Sequence, residues 1–566
     1  MVNESRRTKN DVTYTFVLSA YHSEMNGTTV LLALTVCSLA SAKTTTLSAL
    51  RRGPWHYDIV EGIHSEAILT ASFTDTINFT GWSFLEIHSV GGAVPDEELA
   101  YLAGKMEGNL TAPFILMTWK NTMDNYCQQP STYCTQLQAF LANNSQFMET
   151  QIQLHPESDY WHQVSLFLYQ LQGLQDGYNL HSLEPLPPNA FWLLQISGDL
   201  EDLEAALGGG GGGSLWAGSC SALVKLLPGN ADLLVSQDTW SDYFSMLRTY
   251  KLYDLKFSMS SQNKSIVPGS SQSFSSYPGV LLSGDDYYLV NSGLVTMETT
   301  IGNNNPDLWK FVVPMSVFEN IRAVIVNRLA TSGQEWTDMF SMYNSGTYNN
   351  EWMVVDYKLF QKGKPLPPNV LWVLDQIPGK ITAADQTHVL AGQMYWPSYN
   401  IPFYSDIYNL GGFKELEEKY GSWFSYSGSP RAQIFARNHT DVTDVESMIK
   451  LMRYNNFQHD PLSACNCTPP YSAENAISAR SDLNPADGVY PFSSLGHRSH
   501  GGVDNKVTSS DLFATLSSWA VSGPTHDQLP AFSWSSSGFS PQPPLGHPDT
   551  FDFDPVLVAW KSSTLH

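Results

Sequence analysis

Residues 218–240 read GSCSALVKLLPGNADLLVSQDTW, and this stretch constrains the fold more than any other. Two apolar runs, CSALVKLL and DLLVSQDTW, flank the turn Pro228-Gly229-Asn230, which is the pattern of a β-hairpin. Six consecutive glycines, Gly208 to Gly213, and Ser214 lie just upstream and form a flexible linker. A single cysteine, Cys220, therefore stands at the head of a strand with a loose segment before it.

The texture around the hairpin gives the fold class. Ahead of the linker, DEELAYLAGKMEGNL and TQLQAFLANNSQFMETQIQ carry apolar residues at helical spacing, and LEDLEAAL closes that part as a short helix. SEAILTASFTDTINFTGWSFLEIHS reads as strands and turns. After the linker, WSDYFSMLRTYKLYDLKF is expected to be a helix or long amphipathic stretch. GVLLSGDDYYLV and GLVTMETTIG form a hairpin with a Gly-Asp-Asp turn, and EWMVVDYKLF and VLWVLDQI one around Lys-Gly-Lys-Pro. Successive hairpins with helices on either side predict an α+β domain with antiparallel sheets flanked by helices. The last hundred residues, rich in Pro, Gly, Ser and Asp, are expected to wrap this core as loops.

The chain has 566 residues, 42% of them hydrophobic and 15% charged, which is a globular composition. A formal net charge of −24 repels nucleic acid and anionic surfaces, so polyanion binding is discounted. Residues 30–39, VLLALTVCSL, have the length of a signal h-region, and Ala40-Ser41-Ala42 supplies a small-x-small cleavage site. The run is too short to span a bilayer, and no later segment suits a membrane helix. Met25 just before it reads as the true start, so residues 1–42 form a signal region that is removed. Sequons at Asn78, Asn109, Asn143, Asn263, Asn438 and Asn466 agree with a secretory-pathway glycoprotein, lysosomal or extracellular.

Six cysteines remain to be sorted. Cys37 leaves with the signal region. Cys127 with Cys134, and Cys465 with Cys467, are local pairs that an oxidising compartment would join. Zinc needs more ligands than the CNC motif offers. Cys220 is left over: an inert buried residue, an intermolecular link or a reactive thiol.

A reactive thiol needs a base. No histidine announces itself as a partner. Gly218-Ser219-Cys220 has the G-S-C of papain-like proteases, but Ser221 stands where an aromatic is expected. Neither a G-x-S-x-G elbow nor an H-E-x-x-H zinc motif occurs. One arrangement needs no histidine: if the Ser219–Cys220 bond is cut, the α-amino group of Cys220 lies beside its own thiol and acts as the base. His497 and His500 in HRSH read as a polar turn rather than metal ligands. Thr299 and Thr300 read as hairpin caps.

Several segments resemble the phospholipase B-like family of N-terminal-nucleophile hydrolases. They are CSALVKLLPGNADLLVSQDTW, MLRTYKLYDLKF, NSGTYNNEWMVVDYKLF, QIPGKI, SYNIPFYSDIYNLGG, PPYSAENAISARSDLNP and LGHRSHGGVDNKVTS, spread in family order from Cys220 almost to the C-terminus. The resemblance implies a four-layer αββα sandwich and autoproteolysis between Ser219 and Cys220. Residues 43–207 and 220–566 would then be two associated fragments of one domain, joined before cleavage by the 208–219 linker. It also implies hydrolysis of acyl bonds in phospholipids or lipid amides without a cofactor or metal. Homo-oligomers are compatible with it.

By the same resemblance Cys220 is the nucleophile, Asp238 orients its amine, Asn349 and Asn350 are oxyanion-hole candidates, and Arg480 closes the site. Their local alternatives are a turn role for the asparagines and a salt bridge from Arg480 to Asp482. Some family members carry an amide at the Asp238 position and His where this chain has Gln237, so no role passes to that His here. A free α-amino group titrates at roughly 7.7–8.0, so activity in an acidic compartment requires the site to depress that value. Two other readings stay open: a secreted glycoprotein that keeps the fold and cleavage but binds rather than turns over, and a conventional thiol protease.

Overall fold

The computed structural model describes residues 43–560, apart from Gln128, Pro130, Ser182 and residues 210–218. The signal region and nearly all of the glycine linker lie outside the described residues. From the N-terminus the strands are β1 (Lys43–Gly53), β2 (His56–Glu61), β3 (Leu69–Asp75), β4 (Trp82–Ser89), β5 (Ser219–Leu226), β6 (Leu233–Asp242) and β7 (Arg248–Asp254). There follow β8 (Ser271–Ser276), β9 (Tyr287–Val290), β10 (Leu294–Thr300), β11 (Asn350–Asp356), β12 (Leu371–Ile377), β13 (Lys380–Asp385) and β14 (Tyr395–Ser398). The C-terminal strands are β15 (His500–Gly502), β16 (Asp504–Thr508), β17 (Ser518–Ser522), β18 (Phe532–Ser533), β19 (Thr550–Phe551) and β20 (Val556–Val558).

Among the described residues, eleven strands form one sheet in the order β13-β12-β11-β10-β9-β8-β7-β4-β3-β1-β2. A second sheet runs β14-β5-β6-β16-β17-β20, with β15 also paired to β6. The fold is mixed α and β, as the hairpins predict. The hairpin β5–β6 turns at Gly229, whose φ of +69° only glycine adopts cheaply. Its apolar runs are continuous because both faces are buried. Ala222, Val224 and Leu226 join Tyr250, Leu289, Met297 and Val355 of the larger sheet in one core. Leu223 and Leu234 face the other way, into a core with residues 434–435 and 448–452.

Helices supply the remaining cover. The first eight in chain order are α1 (Ile77–Thr80), α2 (Asp96–Thr122), α3 (Thr132–Leu154), α4 (Asp159–Tyr178), α5 (Ala190–Gln195), α6 (Asp199–Ala206), α7 (Glu319–Leu329) and α8 (Gly333–Phe340). Residues of α2, α4, α5 and α7 share a core with Leu85, Phe274, Tyr288 and Val354 of the larger sheet.

Three expectations need correction. The stretch expected to be helical after β6 contains strand β7, buried along its whole length. Tyr250 and Leu252 point to one core and Tyr253 to the other, and burial on two faces suits a strand better than an amphipathic helix. The second hairpin turns at residues 291–293 between β9 and β10, whereas Gly284-Asp285-Asp286 precedes β9. The C-terminal hundred residues do more than wrap the core: β16 pairs with β6 and carries β17 and β20 into the second sheet.

Candidate active site

Cys220 is the second residue of β5, 1% exposed, and the free thiol among the described residues. The pairs Cys127–Cys134 and Cys465–Cys467 are disulfides. Antiparallel register sets Cys220 opposite Thr239 and Ser221 opposite Asp238. Directly opposed residues share a face and successive ones alternate. Cys220, Thr239 and Gln237 therefore face the interior between the sheets, and Ser221 and Asp238 face the other side.

On the thiol's side lies a network of buried charge. Lys506 Nζ donates to Thr239 Oγ1 at 2.6 Å and to both oxygens of Asp504, at 2.8 and 2.9 Å. Arg248 bridges Asp504, at 2.8 Å, and Asp285, and Tyr277 donates to Asp285 at 2.6 Å. Gln237 Nε2 donates to the carbonyls of Asp285, at 2.7 Å, and Glu298, at 2.8 Å, tying β6 to the larger sheet. Burial pushes the Cys220 thiol well above its ordinary range, and the Glu298 charge adds to this. A backbone hydrogen bond involving Trp240 and the charge of Lys506 pull it back.

On the opposite side, Arg431 Nη1 donates to the Cys220 carbonyl at 2.8 Å and to Ser221 Oγ at 3.3 Å. Its guanidinium lies 4.2 Å from the Trp240 ring centre. Burial lowers its pKa to about 10, still far above neutrality. Arg431 also lines a cleft of about 400 Å³, whose walls include Asp202, Tyr348, Tyr399, Trp423 and Glu474. Asp202 comes from α6, the last helix before the glycine linker. Burial, then the charge of Glu201, lifts its carboxyl to about 8.

The other sequence-derived residues fall in several places. Asp238 is fully buried beside Ser478 and the Gly502 backbone, and burial drives its pKa well up. Asn349 spends its two amide hydrogens on Asp202, at 2.9 Å, and the Gly346 carbonyl, at 3.0 Å. Asn350 donates to Glu319 at 3.0 Å. Arg480 is committed to Asp482, at 2.9 Å through both Nε and Nη2, and to the carbonyls of Thr525 and Pro530. Its local salt bridge is thus the one foreseen as the alternative. The arginine on Cys220 is Arg431, in a segment that carries no motif. Its only sequence signal is Ser429-Pro430 ahead of it, which starts the helix Pro430–Asn438. Lys506 and Asp504 sit in GGVDNKVTS, quoted above for its resemblance alone. His497 Nδ1–H donates to the Asn484 carbonyl at 2.7 Å, and His500 lies on β15. Thr299 contacts Ser398, and Thr300 lines the cleft. No group of three or more His, Cys, Asp or Glu among the described residues is placed to hold a metal.

The sequence profile of the family described as Phospholipase B matches residues 69–558. The chain belongs to the phospholipase B family. It is 51% identical to the phospholipase B-like 2 protein of Bos taurus over 515 residues, 89% of this chain and 87% of the bovine one. It is 42% identical to a phospholipase B-like 1 protein of Caenorhabditis elegans, covering 95% and 96% of the two chains. A Dictyostelium discoideum relative, phospholipase B-like protein A, is 36% identical over 90% of this chain and 91% of its own. The family match includes both faces of the β5–β6 hairpin, the cleft and the β16 charge network. No helix among the described residues is long and apolar enough to cross a membrane.

Proposed function

We propose that this phospholipase B family member hydrolyses acyl ester or amide bonds of lipids with Cys220 as an N-terminal nucleophile, within a four-layer αββα sandwich. The observation that carries the reading is the anchoring of Cys220: its carbonyl is held at 2.8 Å by an arginine that also lines the cleft.

Maturation starts with the Cys220 thiol adding to the Ser219 carbonyl carbon. The C–N bond breaks, the nitrogen takes the thiol proton, and a thioester remains. Water cleaves it, leaving a Ser219 carboxylate and a free Cys220 amine. In turnover that amine takes the thiol proton, and the thiolate attacks the substrate acyl carbon. The leaving alcohol or amine departs with the proton, and a second water releases the fatty acid.

Arg431 takes the positioning part that the resemblance gave to Arg480, and its charge lowers the pKa of the new amine. In this reading Asp238, opposite Ser221 on the far face of the hairpin, orients the amine, whose nitrogen lies in the sheet plane between the two faces. Asn349 and Asn350 are the oxyanion candidates of this reading, Asn349 beside Asp202 of the cleft wall and Asn350 beside Glu319 on the α7 side of β11. The secretory pathway fits the two disulfides and the sequons: Asn78, Asn143, Asn263 and Asn466 are exposed, and Asn109 and Asn438 half-buried.

The test compares wild type with Cys220→Ala on a reducing gel and in an acyl-release assay. The wild type is expected to give a C-terminal fragment beginning Cys-Ser-Ala and to release fatty acid; the variant should do neither. Equal cleavage and equal release in both would end the proposal. The thiol's 1% exposure favours one second reading, a self-cleaving binding protein. Cleavage without release, in wild type alone, would establish it.

A further inference from the structure

One wall of the cleft is formed by Tyr399, Asn400 and Ile401, and the chain just beyond them is held in an unusual way. Successive backbone amides are captured by two different carboxyl groups. Phe403 N–H donates to Glu351 Oε2 at 3.1 Å, and Tyr404 N–H to Asp375 Oδ2 at 2.9 Å. Glu351 and Asp375 are directly opposed on β11 and β12, so their side chains lie side by side on one face. Both are 0% exposed. Their other oxygens, Glu351 Oε1 and Asp375 Oδ1, are buried without a partner of ordinary hydrogen-bond geometry.

Arg431 is a cation whose charge reaches Tyr399 beside the pair. The groups facing the pair are Ser398 and the Trp396 indole from β14, and the hydroxyls of Tyr399, Tyr404 and Tyr426. Neither carboxyl forms an ion pair with a lysine or arginine among the described residues. Two like charges side by side in a dry site cannot both persist, and the stable arrangement keeps a proton between them. Burial raises both carboxyls, and the Glu351 charge raises Asp375 further.

We infer that Glu351 and Asp375 share one proton, and that the protonated pair is an acid-dependent pin holding the 399–404 wall of the cleft. While the proton is present, the pair carries one negative charge, and each carboxyl holds its amide. Loss of that proton to solvent leaves two adjacent carboxylates whose repulsion is relieved by parting, which frees the two amides they grip. Tyr399 and Asn400 follow, although Asn400 keeps a tether to the Thr300 carbonyl at 2.6 Å. Glu351 and Asp375 are positioning residues. The pin gives the proposed hydrolase site an acid-dependent shape, and that consequence rests on the hydrolase reading; the pin itself does not.

Hydrogen exchange at the Phe403 and Tyr404 amides, corrected for intrinsic rates, tests this without a turnover assay. Between about pH 5 and about pH 8 wild-type protection should fall roughly tenfold or more, one titration unit of coupling. Val373 and Leu374 on β12 serve as internal controls and should hold their protection. In Glu351→Gln the amide donates to Asp375 without needing a proton, so protection should not vary with pH. If that variant does not fold, Asp375→Asn asks the same question. Equal wild-type protection at the two pH values, or the same loss in the amide variant, overturns the pin. Acyl release enters neither result, so failure here leaves the Cys220 proposal standing, and failure of that proposal leaves the pin.

Discussion

Arg431 and Arg480 are both buried guanidiniums, yet their substitutions should separate cleanly. Arg431→Ala removes the donor to the Cys220 carbonyl and the cover over Trp240. A hydrogen bond to a charged group contributes about 1.5–3 kcal/mol, so a stability loss of that order is expected. Acyl release should drop further than this loss explains, roughly a hundredfold, with Arg431→Lys recovering only part because lysine lacks the planar fork. Arg480→Ala breaks the buried pair with Asp482 and should cost about 3–5 kcal/mol of stability. The protein that still folds should keep its turnover. Thermal unfolding and kcat measured on the same preparations decide this, and a larger kcat loss in Arg480→Ala than in Arg431→Ala would reverse the assignment. The lone cysteine was readable from the sequence because a reactive-thiol candidate is conspicuous once the local disulfides are removed. Arg431 was not, because nothing near it in sequence marks its approach to a strand 211 residues away.

At the level of elements, the crossing of α2 and α4 rests on four glycines. A Cβ on Gly104 would lie 1.8 Å from the Gln170 carbonyl oxygen, and one on Gly173 would lie 1.9 Å from that of Tyr101. Gly108 and Gly177 meet the carbonyls of Leu174 and Lys105, each at 2.2 Å. Both helices thus present glycines four residues apart, so their backbones touch directly. Gly104→Ala cannot be absorbed by a side-chain rotation, since every obstructing atom is backbone. Overpacking of a flexible core costs about 1–3 kcal/mol; here the loss should exceed that range, measured as a fall in unfolding midpoint or a failure to yield folded protein. An exposed control, Gly392→Ala, meets nothing within 4 Å and should move the midpoint little. Helix α2 was legible from the apolar spacing of DEELAYLAGKMEGNL, whereas α4 was not singled out and the matching glycines of GKMEG and GLQDG went unread. Their meaning was hidden because the partner repeat lies in another helix. Strand β7 was misread for a related reason: a strand buried on both faces loses the alternation that identifies it.

For the molecule as a whole, folding buries acids and so takes up protons. Burial raises Asp199 and Asp242 to about 6, Glu351 to about 7 and Asp202 to about 8. Each such group stabilises the fold below its unfolded pKa, and that stability is lost as pH rises through the folded value. His88, raised to about 9 by Asp254 and Glu86 against the opposing effect of burial, acts in the same sense. Two histidines oppose this. Burial lowers His439 to about 4 and His547 to about 3, so their contribution is present above about 6.5 and declines as pH falls below it. Asp460, held near 2 by Arg437, loses its contribution only below about pH 4. The raised carboxyls and His88 outnumber the two lowered histidines, which places greatest stability on the acid side, at about pH 4, where the carboxyls begin to ionise in the unfolded chain. The unfolding midpoint should therefore be several degrees higher at about pH 5 than at about pH 8 in matched ionic strength. A midpoint that climbs steadily from acid to alkali would mean the buried carboxyls are ionised in the fold. None of this balance was legible in a chain whose charge reads simply as −24, because a carboxyl's burial depends on strands such as β16, which reaches β6 from some 270 residues away.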